Sequence, residues 1–213
     1  MANSDCLPQV HICAIRIAEL DSNGVPTPGS DLITVDSIVD INMTPAVKEG
    51  SQIEDENGCG EVCINYKAPD TLLRYDLTIT VCDHNPYVMA ALGRGVILTD
   101  AGVRGYGFPA IGAASEEAVS IEWYAKRIDD GALHSEYPYA WWVAPKVTTL
   151  RHGPMTWNNG SNRPTFVGRA FENENWFDGP LNDWPVASDR ALQWFPTPGL
   201  PITSCTPAEL PAS

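Results

Sequence analysis

The sequence predicts a mainly β protein with one short α-helix packed on a sheet. Three observations carry this. Apolar residues recur with period two in several runs, which is the mark of half-buried strands. Eighteen prolines and seventeen glycines punctuate the chain, as short strands joined by irregular loops require. Only one stretch has the capping chemistry of a helix.

Along residues 32–44, Ile33, Val35, Val39, Ile41 and Met43 fall on one face of a strand, with Thr34, Asp36, Asp40 and Asn42 on the other. Residues 45–60, PAVKEGSQIEDENGCG, then read as a long acidic loop. Residues 61–67 and 74–83 are strands. In the second, Tyr75, Leu77, Ile79 and Val81 oppose Asp76, Thr78 and Thr80. The helix spans residues 85–92: Asn85 is the N-cap, Pro86 fits the first helical position and Gly93 supplies the stop. Tyr87, Met89, Ala90 and Leu92 are mostly apolar, so so short a helix must draw its stability from packing against a sheet. No reading emerges for residues 97–115. Val119, Ile121, Trp123 and Ala125 repeat the period-two pattern, and residues 165–176 form a less regular strand. Asp21–Gly24 and Glu56–Gly58 have turn chemistry, because Asn and Gly tolerate positive φ. Residues 1–200 read as one domain and 201–213 as a Pro-rich tail, peripheral or disordered.

A chain of 213 residues can bury a core without staples. Its formal net charge of −14 argues against binding nucleic acid through phosphates, which takes clustered Lys and Arg. The opening MANSDCLPQV lacks the basic start and apolar run of a secretory leader, and no run is long enough to span a membrane. The expectation is therefore a soluble chain made in a cytoplasm, with its six cysteines reduced. Cys59, Cys63, Cys82 and His84 have spacing unlike the common zinc patterns, and burial as small hydrophobes is the better expectation for cysteines in strand patterns. No metal and no cofactor are expected.

No nucleophile elbow, zinc-protease helix or P-loop occurs, and the four scattered histidines suit packing or solvent better than catalysis. An acidic hydrolase with a carboxylate pair therefore has no positive support. All seven tryptophans lie beyond residue 95. Trp123, Trp141 and Trp142, in apolar strands, are expected in the core or a subunit interface. Trp157, Trp176, Trp184 and Trp194 sit on irregular segments, open to subunit burial or to stacking on sugars.

The order of strand, acidic segment with a KEGSQIEDENG core, EVCINYK, LRYDLTITVCDHNP and short helix resembles the major tail (tail tube) proteins of long-tailed bacteriophages. It is nearest to the forms from phages of actinobacteria. CLPQVHICAIRIAEL, residues 6–20, looks like that family's opening strand, and the aromatic second half is similar more loosely. The resemblance implies a β-sandwich or barrel-like tail tube fold whose inner sheet completes a multi-subunit barrel. It implies a non-enzymatic virion protein that self-assembles into stacked rings, hexameric in this family, of a non-contractile tail, assembled in the host cytoplasm. Its partners are then further copies of itself, a tape-measure protein and a tail terminator, with DNA passing in transit and no membrane.

On that reading Lys48, Glu49, Glu54, Asp55 and Glu56 form a loop that reaches an adjacent subunit or ring. Asp36, Asp40 and Asp76, opposite the apolar faces of their strands, are candidates to face the lumen, where carboxylates would repel DNA within a screening length of roughly 8–10 Å. Outer solvent is the competing location for all three. The alternative from another class is a carbohydrate-binding β-sandwich module of a phage or cell surface, presenting exposed tryptophans.

Overall fold

A computed structural model describes residues 8–26, 31–112, 117–157, 159–160, 162–176, 190–200 and 204–209. The strands are β1 (Gln9–Glu19), β2 (Asp31–Val35), β3 (Ile38–Lys48), β4 (Gln52–Glu56), β5 (Val62–Lys67) and β6 (Thr71–Val81). After α1 (Pro86–Gly93) come β7 (Val96–Asp100), β8 (Val103–Gly107), β9 (Val119–Asp129), β10 (Ala132–Leu133) and β11 (Tyr139–His152). The chain continues through β12 (Thr165–Phe171), β13 (Gln193–Thr197) and β14 (Ser204–Glu209). The protein is thus mainly β with one short helix, as the periodicity predicts.

A single large antiparallel sheet runs in the order β14-β2-β1-β9-β11-β12-β6-β3, with β10 added to β9 and β13 to β11. Two separate hairpins, β4–β5 and β7–β8, complete the set. β3 packs against β1 without pairing to it, so the sheet curls around its own core. Ile15, Ile17, Leu77, Ile79, Ile121, Val147 and Phe166 line that concave side, and Val88, Met89 and Leu92 of α1 close it. Each such side chain contributes roughly 1.5–3 kcal/mol by leaving water. The helix survives at eight residues because its buried stripe belongs to this core.

The opposite face of β1, β9 and β11 holds a smaller core of Ala14, Tyr124, Trp141, Val143 and Trp176, covered by Phe195 of β13. Burial on both sides explains why β9 shows seven consecutive buried residues, from Val119 to Ala125. Within this second core Arg16 pairs with Glu122, both almost wholly buried. Trp141 Nε1 donates to the same Glu122 oxygen at 2.6 Å, and the Tyr124 hydroxyl does so at 3.5 Å. Burial, then the Glu122 charge, pushes the Tyr124 phenol well up.

Several expectations need correction. Residues 32–44 are not one strand: the chain turns a corner at Asp36 and Ser37, so β2 pairs with β1 while β3 pairs with β6. The corner is pinned where Cys82 N donates to Ser37 O at 2.8 Å and Ser37 Oγ to Asp83 at 3.0 Å. A bulge between Ile38 and Asp40 then takes Val39 out of the apolar face, leaving it 40% exposed. The helix ends one residue later than expected. Arg94, not Gly93, adopts the left-handed conformation at φ 57°. Gly93 is needed for space instead, since a Cβ there would collide with His152 Nε2 and the Tyr106 hydroxyl.

The cysteine expectation also fails in part. Cys59, Cys63 and Cys82 are exposed and Cys13 is half-buried; all four are free thiols. Their alternation is real, but the strand carrying Cys63 has no buried face. Residues 172–176 leave the β12 ladder after Phe171. Trp176 is fully buried within its own chain, whereas Trp184 lies outside the described residues. Residues 204–209, inside the Pro-rich tail, pair with β2 as the edge strand β14. Among the described residues no helix is long and apolar enough to cross a membrane.

Candidate assembly surfaces

The segment expected as a long acidic loop is mostly strand. β3 continues through Pro45 to Lys48, and Pro45 is tolerated because β3 is an edge that needs no donor on its free side. After Glu49 the chain enters the β4–β5 hairpin. Sequence alternation hid this, because β4 contributes only Ile53 to an apolar face and its neighbours are all polar.

Both ends of the arm are fixed locally. At the root Gly50 N donates to Asp70 Oδ1 at 2.9 Å and Ala68 N to Ser51 O at 2.9 Å. Gly50 lies so close to Ala68 O that no Cβ fits. At the tip the Asn57 side-chain oxygen accepts from Cys59 N at 2.9 Å and Glu61 N at 3.0 Å, an Asx turn, while Gly60 takes the positive φ of 79°.

Every residue of β4 and β5 is exposed. The register Ile53↔Tyr66 and Asp55↔Ile64 puts Ile53, Ile64 and Tyr66 on one face with Asp55. These three apolar side chains are 55%, 50% and 56% exposed. Glu54, paired with Asn65, faces the other way. Lys48 and Glu49 stand at the root, and Glu54, Asp55 and Glu56 are brought together on β4. A lone two-stranded hairpin is at best marginal in water, and an amphipathic one whose strand residues are all exposed offers an apolar face.

The β7–β8 hairpin was not legible in the sequence as a pair of strands. Ala101 and Gly102 both take positive φ, the geometry of a two-residue turn matching strand twist. Its outer side chains, Val96, Leu98 and Val103, are 59%, 54% and 72% exposed. Its base is held. The Tyr106 hydroxyl hydrogen-bonds His152 Nε2 at 2.7 Å, Phe108 and Phe166 flank the imidazole at 4.8 and 5.0 Å, and Arg104 lies 5.2 Å over the Tyr87 ring. Burial pushes the His152 pKa down.

The lumen candidates are dispersed. Asp40 and Asp76 share the outer face of the β3–β6 pair, through Asp40↔Thr80 and Thr44↔Asp76. Asp36 lies at the corner outside both ladders. Asp76 is not a bare carboxylate: Arg74 bonds it at 2.9 Å and Arg169 lies 3.9 Å away. Of the tryptophans, Trp123 and Trp141 are in the core, and Trp142 stacks between Trp123 and the 39% exposed Trp194. Trp157 is 71% exposed and stacks on His84 at 5.9 Å. Among the described residues no group of His, Cys, Asp and Glu is placed to hold a metal.

No family model matches the chain, and no curated protein matches it. Among solved structures it is similar to a chain of the anti-feeding prophage (AFP) baseplate, determined by cryo-electron microscopy. The identity is 12% and the TM-score 0.34, over 75% of this chain and 88% of that one. Values this low do not establish a common fold.

Proposed function

We propose that this protein is a structural subunit that self-assembles into stacked rings, six subunits to a ring, forming the tube of a phage tail. It acts through no catalytic step. The observation that carries the reading is the β4–β5 arm, an amphipathic hairpin with every strand residue exposed, in the same segment whose order of elements resembles tail tube proteins. The β3 edge, unpaired among the described residues, and the largely exposed β7–β8 hairpin support it, because unpaired backbone and apolar hairpins gain most by joining another copy. The net charge of −14 suits a tube through which DNA slides without adhering. Asp36 and Asp40 remain the lumen-facing residues of the proposal. Asp76 adds little repulsion, being offset by Arg74 and Arg169. Further copies are the main partner, with a tape-measure protein and a terminator setting tube length. The assembled protein resides in the virion tail.

A glycan-binding module is the second reading, and the exposed Trp157 favours it. Sedimentation velocity over a rising concentration series separates the two. The tube subunit gives growing fast-sedimenting species and tryptophan emission indifferent to added glycans. A monomer at every concentration, with emission that shifts on glycan addition, would replace the first reading by the second.

A further inference from the structure

We propose that the outer face of the sheet, where β11, β12 and β6 lie side by side, binds an oxyanion of the phosphate class. Cations gather there against the trend of the chain. The register sets Arg151 beside Val167, Thr148 beside Arg169 and Arg169 beside Asp76. Arg151, Arg169 and, two residues before Asp76, Arg74 therefore stand on one face. Lys146, opposite Phe171, joins them. The other face of the same strands is the core of Leu77, Ile79, Phe166 and Ala170. On the outer face of these ladders the four cations meet only the carboxylates of Asp40 and Asp76, in a chain of net charge −14.

A concavity of about 320 Å³ lies among them, with Arg151 and Arg169 on its walls and the hydroxyl-bearing Thr78 and Thr149 beside them. Asp76 also lines it, but Arg74 already holds that carboxylate at 2.9 Å, with Arg169 farther off at 3.9 Å. Arg151 is exposed and has no ion-pair partner among the described residues. Its position depends on a strained residue. Thr149 takes φ 53°, a left-handed conformation that a β-branched side chain adopts only at a cost, at the register shift between Thr148 and Arg151. That extra residue resets the alternation. Leu150 enters the core and Arg151 joins the face of Arg169, where unbroken pairing from Thr148 would have turned Arg151 inward. Two guanidinium forks from different strands, with two hydroxyls, suit the four oxygens of a tetrahedral dianion better than the two of a carboxylate. Asp40 stands farther along the same face, opposite Thr80, so a lumen lined by Asp40 would also carry these cations.

The test is calorimetric titration of the full chain with inorganic phosphate in a chloride buffer. The expected result is saturable binding, weakened about tenfold or more by Arg151→Gln and by Arg169→Gln, as loss of one charge-assisted contact implies. Lys67→Gln, on the β4–β5 hairpin, is expected to leave it unchanged. Circular dichroism checks the fold of each variant. Arg151 is exposed, and Asp76 keeps Arg74 when Arg169 is replaced. Competition with a short DNA duplex then separates two sources of the same chemistry. Displacement of phosphate by DNA assigns the site to a nucleic-acid backbone; no displacement assigns it to a small free phosphate, the outcome that repulsion by a chain of net charge −14 favours. Absence of saturable phosphate binding, or binding equally tight in wild type and folded Arg151→Gln, overturns the site. Rings or tubes can form under any of these results, so failure of the site leaves the tube reading to its own sedimentation test.

Discussion

Arg16 and Glu122 face each other in the smaller core, where the carboxylate is also held by Trp141 and approached by Tyr124. A buried pair of this kind contributes little net stability while intact, yet removing one member strands the other without solvent. Arg16→Met is expected to cost about 3–5 kcal/mol in urea unfolding, and adding Glu122→Leu is expected to recover most of it. Gly93 makes a different demand. Gly93→Ala forces His152 and Tyr106 apart and is expected to cost about 1–3 kcal/mol, whereas the Ala substitution at exposed Gly58 is tolerated. His152 itself titrates against the fold. Its pKa is held below the unfolded value of about 6.5, so between the two values the unfolded chain binds more protons. Stability is therefore full above pH 6.5 and declines as pH falls through the depressed value. Replacing His152 by Gln is expected to flatten that decline in pH-dependent unfolding midpoints. The Arg16–Glu122 pair and the packing of Gly93 against His152 could not be read from spacing, since they join elements distant in sequence. The helix caps could, because Asn85 and Pro86 act on their immediate neighbours: Asn85 Oδ1 accepts from Tyr87 N at 2.9 Å. The left-handed Arg94 could not, for a non-glycine residue in that conformation carries no signal of its own.

At the scale of elements, alternation placed β6 and β9, whereas β1 was expected only from the resemblance of residues 6–20 to an opening strand. The pattern misled wherever burial was absent. β4 has no inward face and so no alternating signature, which is why an arm of two strands reads as one acidic loop. β7 and β8 fail similarly, and the corner at Asp36 hid between two apolar runs in phase with each other. The arm is expected to be dispensable for folding. Replacing residues 52–67 by a short Gly-rich turn removes only exposed residues, so the unfolding midpoint should stay within a degree or two of wild type by the usual scaling for surface changes below about 0.5 kcal/mol. Assembly measured by light scattering is expected to disappear. Substantial loss of stability on that deletion would mean that the arm serves its own chain.

For the whole molecule, the curled sheet supplies the core, while both hairpins and most carboxylates of the described residues are largely exposed. That division of labour, with stability inside one copy and apolar pattern spent outside it, is what a subunit of a larger assembly requires. It also sets a salt dependence: copies of net charge −14 repel one another, so raising salt from 0.1 to 1 M, which shortens the screening length from about 10 to about 3 Å, is expected to speed assembly. The most direct measurement is electron microscopy of the concentrated full-length chain in negative stain. Rings or stacked tubes with a central hole are the predicted result, and uniformly compact monomers at the highest concentration would contradict the account.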